Sequence, residues 1–177
     1  MTSSTPARRR TVVVAVAAAA LLAAAACTST ASAGGSDKPA ERTTYKGGET
    51  TFGQSFAYSN GLAVEVEKPS AFVPSASADG AEGVDGEPVK VRVYVVNGTS
   101  GEFVPNTLEV TVVSDGEEAA QILDPGSRVE LTGPGHALGR ADVVAFDLAF
   151  VVQDPDDVTL TLVPAIAGYE PLVFTAP

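Results

Sequence analysis

The chain has 177 residues, of which 22 are acidic and 11 basic, and its formal net charge at pH 7 is −11. Such an acidic chain is unsuited to nucleic acid, whose phosphates attract lysine and arginine. A single cysteine excludes an internal disulfide framework and any zinc cluster built on cysteines. The length fits one domain with appendages, and an apolar fraction of 45% is ordinary for a folded protein.

The first 26 residues are typical of an export signal. Arg8, Arg9 and Arg10 precede an uninterrupted apolar run, Val12 to Ala26. As a helix this run would be about 22 Å long, which is short of the ~30 Å hydrocarbon core of a membrane. A basic start followed by a short apolar run is the pattern of a secretory signal peptide, so we assign residues 1–26 to one.

The only cysteine, Cys27, directly follows the apolar run in the segment LLAAAAC. The segment resembles a bacterial lipobox, in which small residues precede a cysteine whose sulfur receives a diacylglycerol; Ala24 departs from it, where leucine or valine is usual. The resemblance implies a lipid at Cys27 that anchors the protein to the outer face of the cell membrane. A second interpretation stays open: cleavage after Ala33, at the small-x-small site Ala31-Ser32-Ala33, would yield a freely secreted protein.

Residues 27–48 are predicted to combine the lipidated cysteine with a flexible tether. They are rich in serine, threonine, glycine and alanine and have no apolar periodicity, so they cannot bury enough surface to fold. A coil of about 21 residues spans roughly 25 Å root-mean-square, which would lift a domain off a membrane surface. Residues 49–177 are then the folded domain.

From Glu49 onward, apolar residues recur at every second position, which is the period of a β-strand. This alternation places one side chain in two on a surface that faces a core. The residues predicted to face the core are, in chain order, Phe52, Phe56, Tyr58, Leu62, Val64, Val66, Val89, Val91, Val93, Val95, Leu108, Val110, Val112, Val144, Phe146, Leu148, Phe150, Val152, Val158, Leu160, Leu162, Leu172 and Phe174.

Turn-forming clusters separate these runs, among them Asn97-Gly98-Thr99, which we interpret as a hairpin turn rather than a glycosylation acceptor. Only Glu117–Leu123 tolerates a short helix. The polar segment Ser75–Glu87 is predicted to be a long mobile loop between two strands. Seven or eight short strands without crossover helices predict an all-β domain, an antiparallel β-sandwich.

Four segments of this domain resemble a known family: FGQSFAYSNGLAVEVEKPSAF, VKVRVYVVNGTS, GHALGRADVVAFDLAF and DDVTLTLVPAIAGYEPLVF. Their order and hydrophobic pattern are similar to the small immunoglobulin-like extracellular domain of many lipoproteins of Gram-positive bacteria. The resemblance implies an immunoglobulin-like fold and a location outside the cytoplasm, and it implies no reaction. Unlike antibody-type domains, the chain lacks paired cysteines and a core tryptophan.

The polar loop residues carry no local motif for catalysis. Ser127, His136 and Asp142 are of the residue types that form a catalytic triad, but no nucleophile elbow surrounds the serine. We therefore predict a non-enzymatic protein with no catalytic residue.

Two acidic loops hold carboxylates, the type of ligand that Ca²⁺ prefers. They contain Asp154, Asp156 and Asp157 in one case, and Asp79, Glu82, Asp85 and Glu87 in the other. Neither loop has the ligand spacing of an EF-hand, so we interpret both as solvated turns and predict no metal and no other cofactor.

These observations predict a binding or scaffolding module of the cell envelope, with an envelope protein as partner. Lys90, Arg92 and Tyr94 are predicted to lie on the outward face of one strand, where two of the five basic residues of 49–177 accompany an aromatic ring. Two interpretations stay open. The strand contacts the partner, or the two basic side chains pair across strands with Glu65 and Glu67.

Overall fold

The structure is a computed structural model that describes residues 43–166 and 168–177. The predicted signal peptide, Cys27, the cleavage site at Ala33 and the tether up to residue 42 lie outside the described residues. No helix in the described part of the chain is long and apolar enough to cross a membrane.

Two sheets make up the domain. The β10 sheet has the order β1 (Gly48–Thr51), β11 (Leu172–Thr175), β10 (Val158–Pro164), β6 (Leu108–Ser114) and β7 (Glu117–Glu118). The β5 sheet has the order β2 (Ser55–Ala57), β3 (Leu62–Val66), β5 (Glu87–Asn97), β9 (Val143–Val152) and β8 (Ala120–Ile122), and β4 (Ser70–Ala71) also pairs with β5. The described residues contain eleven strands, more than the seven or eight predicted, because four of them have only two or three residues.

The connectivity of the strands is immunoglobulin-like. In the β5 sheet, β3, β5, β9 and β8 occupy the places of strands A, B, E and D of an immunoglobulin domain. In the β10 sheet, β6, β10 and β11 occupy the places of C, F and G. The extra strands β1 and β2 add one edge to each sheet, and β1 joins β11 in parallel. The predicted all-β sandwich fold is confirmed.

The core between the sheets consists of the side chains that the alternation selects. Val93 of β5 and Leu160 of β10 are both 0% exposed and belong to one hydrophobic cluster. Burying one such side chain stabilises the fold by about 1.5–3 kcal/mol. The predicted core residues that are only half-buried lie at the margins of this cluster: Phe56, Val110, Val144 and Phe146.

The folded part of the chain begins before residue 49. Tyr45 forms a bridge with Tyr169, and the centroids of their rings are 4.8 Å apart. β1 begins at Gly48 and continues this pairing along β11. Residues 45–48, which the composition places in the tether, therefore pack on the last strand. A composition count cannot show this contact, because it depends on a partner more than 100 residues away.

Two connections differ from the sequence interpretation. Glu117–Leu123, the one segment that tolerates a short helix, forms none; it contains β7 in one sheet and β8 in the other, because the chain changes sheets there. Asn97-Gly98-Thr99 is no hairpin turn, since β5 and β6 lie in different sheets. The amide of Asn97 is buried and donates to the carbonyls of Gly101 and Leu138, each at 2.8 Å. This side chain organises the crossing between the sheets.

A second, smaller hydrophobic cluster lies on the outer face of the β5 sheet, and we call it the outer cluster. It consists of Ile122, Val129, Ala149 and Val151, against which Phe72, Ala78 and Ala81 pack. Asp79 bridges Leu123, and Gly80, at φ 88°, lies so close to the Gln121 carbonyl that no side chain would fit. The first half of the segment Ser75–Glu87 is thus held against β8 and the outer cluster, in contrast to the predicted mobile loop.

Candidate functional site

A cleft of about 700 Å³ opens on the outer face of the β5 sheet, beside the outer cluster. Its floor is formed by Arg92 of β5 together with Ala145 and Asp147 of β9. Its wall is formed by residues of the segment 125–135, which begins with a 3-10 turn at Pro125–Ser127. The cleft therefore joins a rigid sheet to a connecting loop, which is a common setting for a binding site.

The first half of β9 has a strand neighbour on one side only. β5 pairs with the whole of β9, whereas β8 pairs with residues 149–151 and Val129 bridges Asp147. Within residues 43–166 and 168–177, no strand pairs with 143–146 on this second side. The cleft lies beside this open edge, because Ala145 and Phe146 line it.

The register shows which backbone groups the open edge presents. The Asn97 N–H donates to the Asp142 carbonyl, and these residues flank the pair Val96–Val143. In an antiparallel ladder such a bond identifies the flanked pair as a non-hydrogen-bonded one. Because the pattern alternates, the N–H and C=O of Ala145 point away from β5, towards the open edge.

Asp147, on the floor of the cleft, neutralises two basic side chains of β5. Its carboxylate lies 3.4 Å from the Lys90 ammonium and 3.3 Å from the Arg92 guanidinium. The side chain of Asp147 is only 14% exposed, whereas those of Lys90 and Arg92 are 36% and 45% exposed. The predicted cross-strand partners Glu65 and Glu67 are thus wrong for both, since β9 places Asp147 directly opposite Arg92.

Tyr94 extends this polar surface along β5. Its hydroxyl donates to the Glu67 carboxylate at 2.7 Å, and this hydrogen bond raises the pKa of Tyr94. The guanidinium carbon of Arg92 lies 5.7 Å from the centroid of the Tyr94 ring, within the range of a cation–π contact. Arg92 is therefore held in place by Asp147 on one side and by the Tyr94 ring on the other.

Arg128 stands on the wall of the cleft in a left-handed backbone conformation, with φ 59° and ψ 36°. This conformation costs a residue other than glycine about 1–2 kcal/mol. Within the described residues, Arg128 forms no salt bridge. Its guanidinium thus has five donors available to a ligand.

A buried carboxylate holds the turn that precedes Arg128. Asp124 is 0% exposed, and its oxygens accept from the N–H and hydroxyl of both Ser75 and Ser127, at 2.5–3.3 Å. These bonds, those from Ser75 first, lower the pKa of Asp124 from 3.8 to about 2. Asp124 therefore connects the segment that covers the outer cluster to the wall of the cleft.

The three residues of triad type are not brought together. The Ser127 hydroxyl donates to Asp124, and the Asp142 carboxylate accepts from the Gly139 N–H at 2.8 Å. His136 is exposed, and within residues 43–166 and 168–177 no hydrogen bond joins it to Ser127 or Asp142.

The acidic loops use part of their oxygens in their own turns. Asp154 accepts from the Asp156 N–H at 2.9 Å, and Asp79 accepts from the Gly80 N–H at 2.9 Å. The part of the chain that the structure describes contains no group of three or more histidines, cysteines or carboxylates that could hold a metal ion.

A smaller cleft of about 320 Å³ lies at one end of the sandwich, among Tyr45, Asn60 and Tyr169. The Tyr58 ring contacts the Tyr169 ring at 4.8 Å between centroids, and its hydroxyl donates to the Glu170 carbonyl at 2.7 Å. Burial raises the pKa of Tyr58. These tyrosines pack on one another and tie residues 43–47 to the domain.

Sequence reasoning missed Arg128, Asp124 and Asp147 as residues of the site. A signal for the first two exists, because aspartate followed by proline is the usual start of a short helical turn, as in Asp124-Pro125-Gly126-Ser127. No local signal identifies Asp147 as the partner of Lys90 and Arg92, since the register of β5 against β9 determines that contact.

No protein-family model matches the sequence, and a search of curated proteins finds no match. Solved structures do match. The yjhA protein from Bacillus subtilis is 14% identical, with a TM-score of 0.56, over 72% of this chain and 99% of that chain. The ycdA protein from the same species, described as a candidate lipoprotein, is 19% identical, with a TM-score of 0.56.

The match to ycdA covers 68% of this chain but only 37% of that chain. MPT63, a secreted protein from Mycobacterium tuberculosis, is 15% identical with a TM-score of 0.48, over 72% of this chain and 95% of that chain. The likenesses to yjhA and ycdA show the fold alone: this chain is similar to bacterial proteins of the β-sandwich class.

Proposed function

We propose that the protein is a non-enzymatic binding module of the cell envelope, held outside the cytoplasm by a lipid on Cys27, and that it binds its partner at the cleft. The carrying observation is a cleft at the open edge of β9, where Arg128 has no salt-bridge partner among the described residues although Glu130 and Asp147 also line it. Residues 49–177 contain five basic residues and 20 acidic ones. Arg92 and Arg128 line the cleft, and Lys90 contacts Asp147 on its floor.

Support for the lipid anchor comes from the sequence. The apolar run ends directly before the single cysteine, at the position where lipidation requires one. The fold is similar to that of ycdA, which is described as a candidate lipoprotein. A net negative domain would be repelled by anionic lipids, so a covalent lipid would supply the attachment that charge does not.

Support for binding rather than catalysis comes from the cleft itself. Arg92 and Asp147 pair with each other, and the Ser127 hydroxyl donates to Asp124 of the turn that positions it. A nucleophile needs an adjacent base, and the carboxylate beside Ser127, that of Asp124, is a weak one because its pKa is lowered to about 2.

The anchor is tested by fractionation and by the intact mass of the mature protein. We expect the wild type in the membrane fraction, with a mass that begins at Cys27 and includes a diacylglycerol. Cys27→Ala should move the protein to the soluble fraction, whereas Thr28→Ala, the matched control, should leave it in the membrane. A mature chain that begins at residue 34 would overturn the anchor and support free secretion.

The cleft is tested by replacing the two basic side chains that contact Asp147 on its floor, Lys90→Gln and Arg92→Gln. We expect reduced capture of envelope proteins with a stability close to that of the wild type. Lys68→Gln with Arg140→Gln is the matched control, because it removes the same charge from residues that do not line the cleft. Equal capture by both double variants would contradict the proposed binding surface.

A further inference from the structure

The open edge of β9 points to the class of partner that the cleft binds. We propose that the cleft takes an extended acidic peptide segment of a partner protein, which adds a strand to β9 and places a carboxylate against Arg128. This inference rests on the proposed function, because it names the ligand of the same cleft.

The backbone of β9 presents unpaired hydrogen-bonding groups at the cleft. The N–H and C=O of Ala145 point away from β5, and Ala145 lines the cleft. Within the described residues, no strand occupies this position. An exposed edge of this kind pairs readily with an extended peptide, whose main chain then supplies the complementary donors and acceptors.

Arg128 presents an unpaired charged side chain at the same cleft. Arg128 has no ionic partner among the described residues, and its backbone is fixed by the turn that Asp124 holds. A guanidinium in this position binds a carboxylate through two parallel hydrogen bonds. Asp147 neutralises Arg92 and Glu130 also lines the cleft, so Arg128 is the basic group that remains there for one carboxylate of the peptide.

Exposed apolar side chains lie at the same end of β9. Val143 is 61% exposed, and Val96, its direct neighbour on β5, is 36% exposed. In a peptide strand paired with β9, alternate side chains would lie on the face of Val143 and cover it. An acidic side chain of the same peptide would reach Arg128. The edge therefore favours a peptide that alternates apolar and acidic residues over a small free anion.

The direct test is a titration followed by ¹⁵N NMR. The protein is the chain from residue 27 with Cys27→Ala, and the probe is a capped hexapeptide that alternates glutamate and valine. We expect shifts at the amides of Val143, Ala145 and Arg128. Replacing each glutamate by lysine should abolish them, and methylating the alternate amide nitrogens that pair with β9 should weaken binding about tenfold.

Two variants test the two contacts separately. Arg128→Gln should weaken binding of the acidic peptide about tenfold, while Arg140→Gln, an exposed arginine outside the cleft, should leave it unchanged. Ala145→Pro removes one outward N–H without removing a bond to β5, so the domain should fold and lose peptide binding. If that variant fails to fold, the methylated peptide provides the same test.

Three other results would overturn the peptide inference, and they would do so without contradicting the proposed binding function. Shifts caused by acetate or inorganic phosphate at Arg128, with no effect of the peptide on Ala145, would mean a small-anion site and leave the binding cleft in place. Shifts that depend on protein concentration without peptide would mean that a second copy pairs with β9. Absence of shifts from every probe at millimolar concentration would contradict the peptide, whereas the proposed function depends on the separate capture assay.

Discussion

The main core and the outer cluster are built in different ways. The main core lies between two long, regular sheets, and a period of two selects its side chains, as for Val93 and Leu160. The outer cluster lies on the opposite face of the β5 sheet, where loop residues such as Phe72 and Val129 pack over Ala149 and Val151. The comparison teaches that one strand, β9, is buried on both faces in its second half, whereas its first half is only half-buried or exposed.

This difference creates the cleft. Where the outer cluster covers residues 149–151, β8 completes the sheet. Where the cover ends, the edge of 143–146 stays open and Arg128 stands beside it. The outer cluster is therefore the support of the candidate site, and the following predictions separate its contribution from that of the main core.

The largest effect is expected from a charge in the main core. Val93→Asp should unfold the domain, because an unpaired charge in a 0% exposed position costs several kcal/mol. Far-ultraviolet circular dichroism and urea unfolding measure this effect. Val96→Asp, on the outward face of the same strand, is the matched control and should remain folded. A native-like Val93→Asp variant would mean that the facing of β5 is wrong.

A cavity in the outer cluster should have a smaller, local effect. Ile122→Ala should lower the free energy of unfolding by about 2–4 kcal/mol, because Ile122 is fully buried. Hydrogen exchange should accelerate at residues 78–81 and 128–130, while β5 and β10 stay protected. Leu131→Ala, at a 47% exposed position, should change stability by less than about 0.5 kcal/mol. Uniform acceleration throughout the domain would contradict an independent outer cluster.

The Asp124 carboxylate should make part of this support depend on pH. Its pKa is about 2 in the folded protein against the ordinary value of 3.8, so its stabilisation is fully present above about pH 4 and is lost as pH falls towards 2. Asp124→Asn should therefore be less stable than the wild type at pH 7, and the gap in unfolding midpoint should shrink below pH 4. A difference in unfolding midpoint that stays constant down to pH 2 would contradict this prediction.

The smallest effect is expected at the floor of the cleft. Lys90→Gln and Arg92→Gln should each lower stability by only about 0.2–1 kcal/mol, because the partly exposed pairs with Asp147 are screened by solvent. Thermal unfolding at low and high salt measures the effect, and high salt should reduce it. A loss similar to that of Ile122→Ala would mean that these side chains serve stability rather than binding.

Much of the fold could be predicted because strand facing is a local property. Leu62, Val64 and Val66 are buried as their spacing requires, and so are Val158, Leu160 and Leu162. Little of the candidate site could be predicted. From the sequence pattern, Asp147 is predicted to be one more outward polar residue of β9. Only the pairing of β5 with β9 places it against Lys90 and Arg92.

The sequence by itself determined the all-β class and most of the core-facing set of the strands, and it predicts that the residues before the domain serve export and attachment. Hydrophobic period and composition act over a few neighbouring residues, so they can be read without the fold. Only the tertiary structure decided that Glu117–Leu123 is divided between two sheets, that Ser75–Glu87 is held by Asp124 and Leu123, and that β9 keeps an open edge beside Arg128. These features are contacts between distant segments, and their geometry exists only after the sheets have paired.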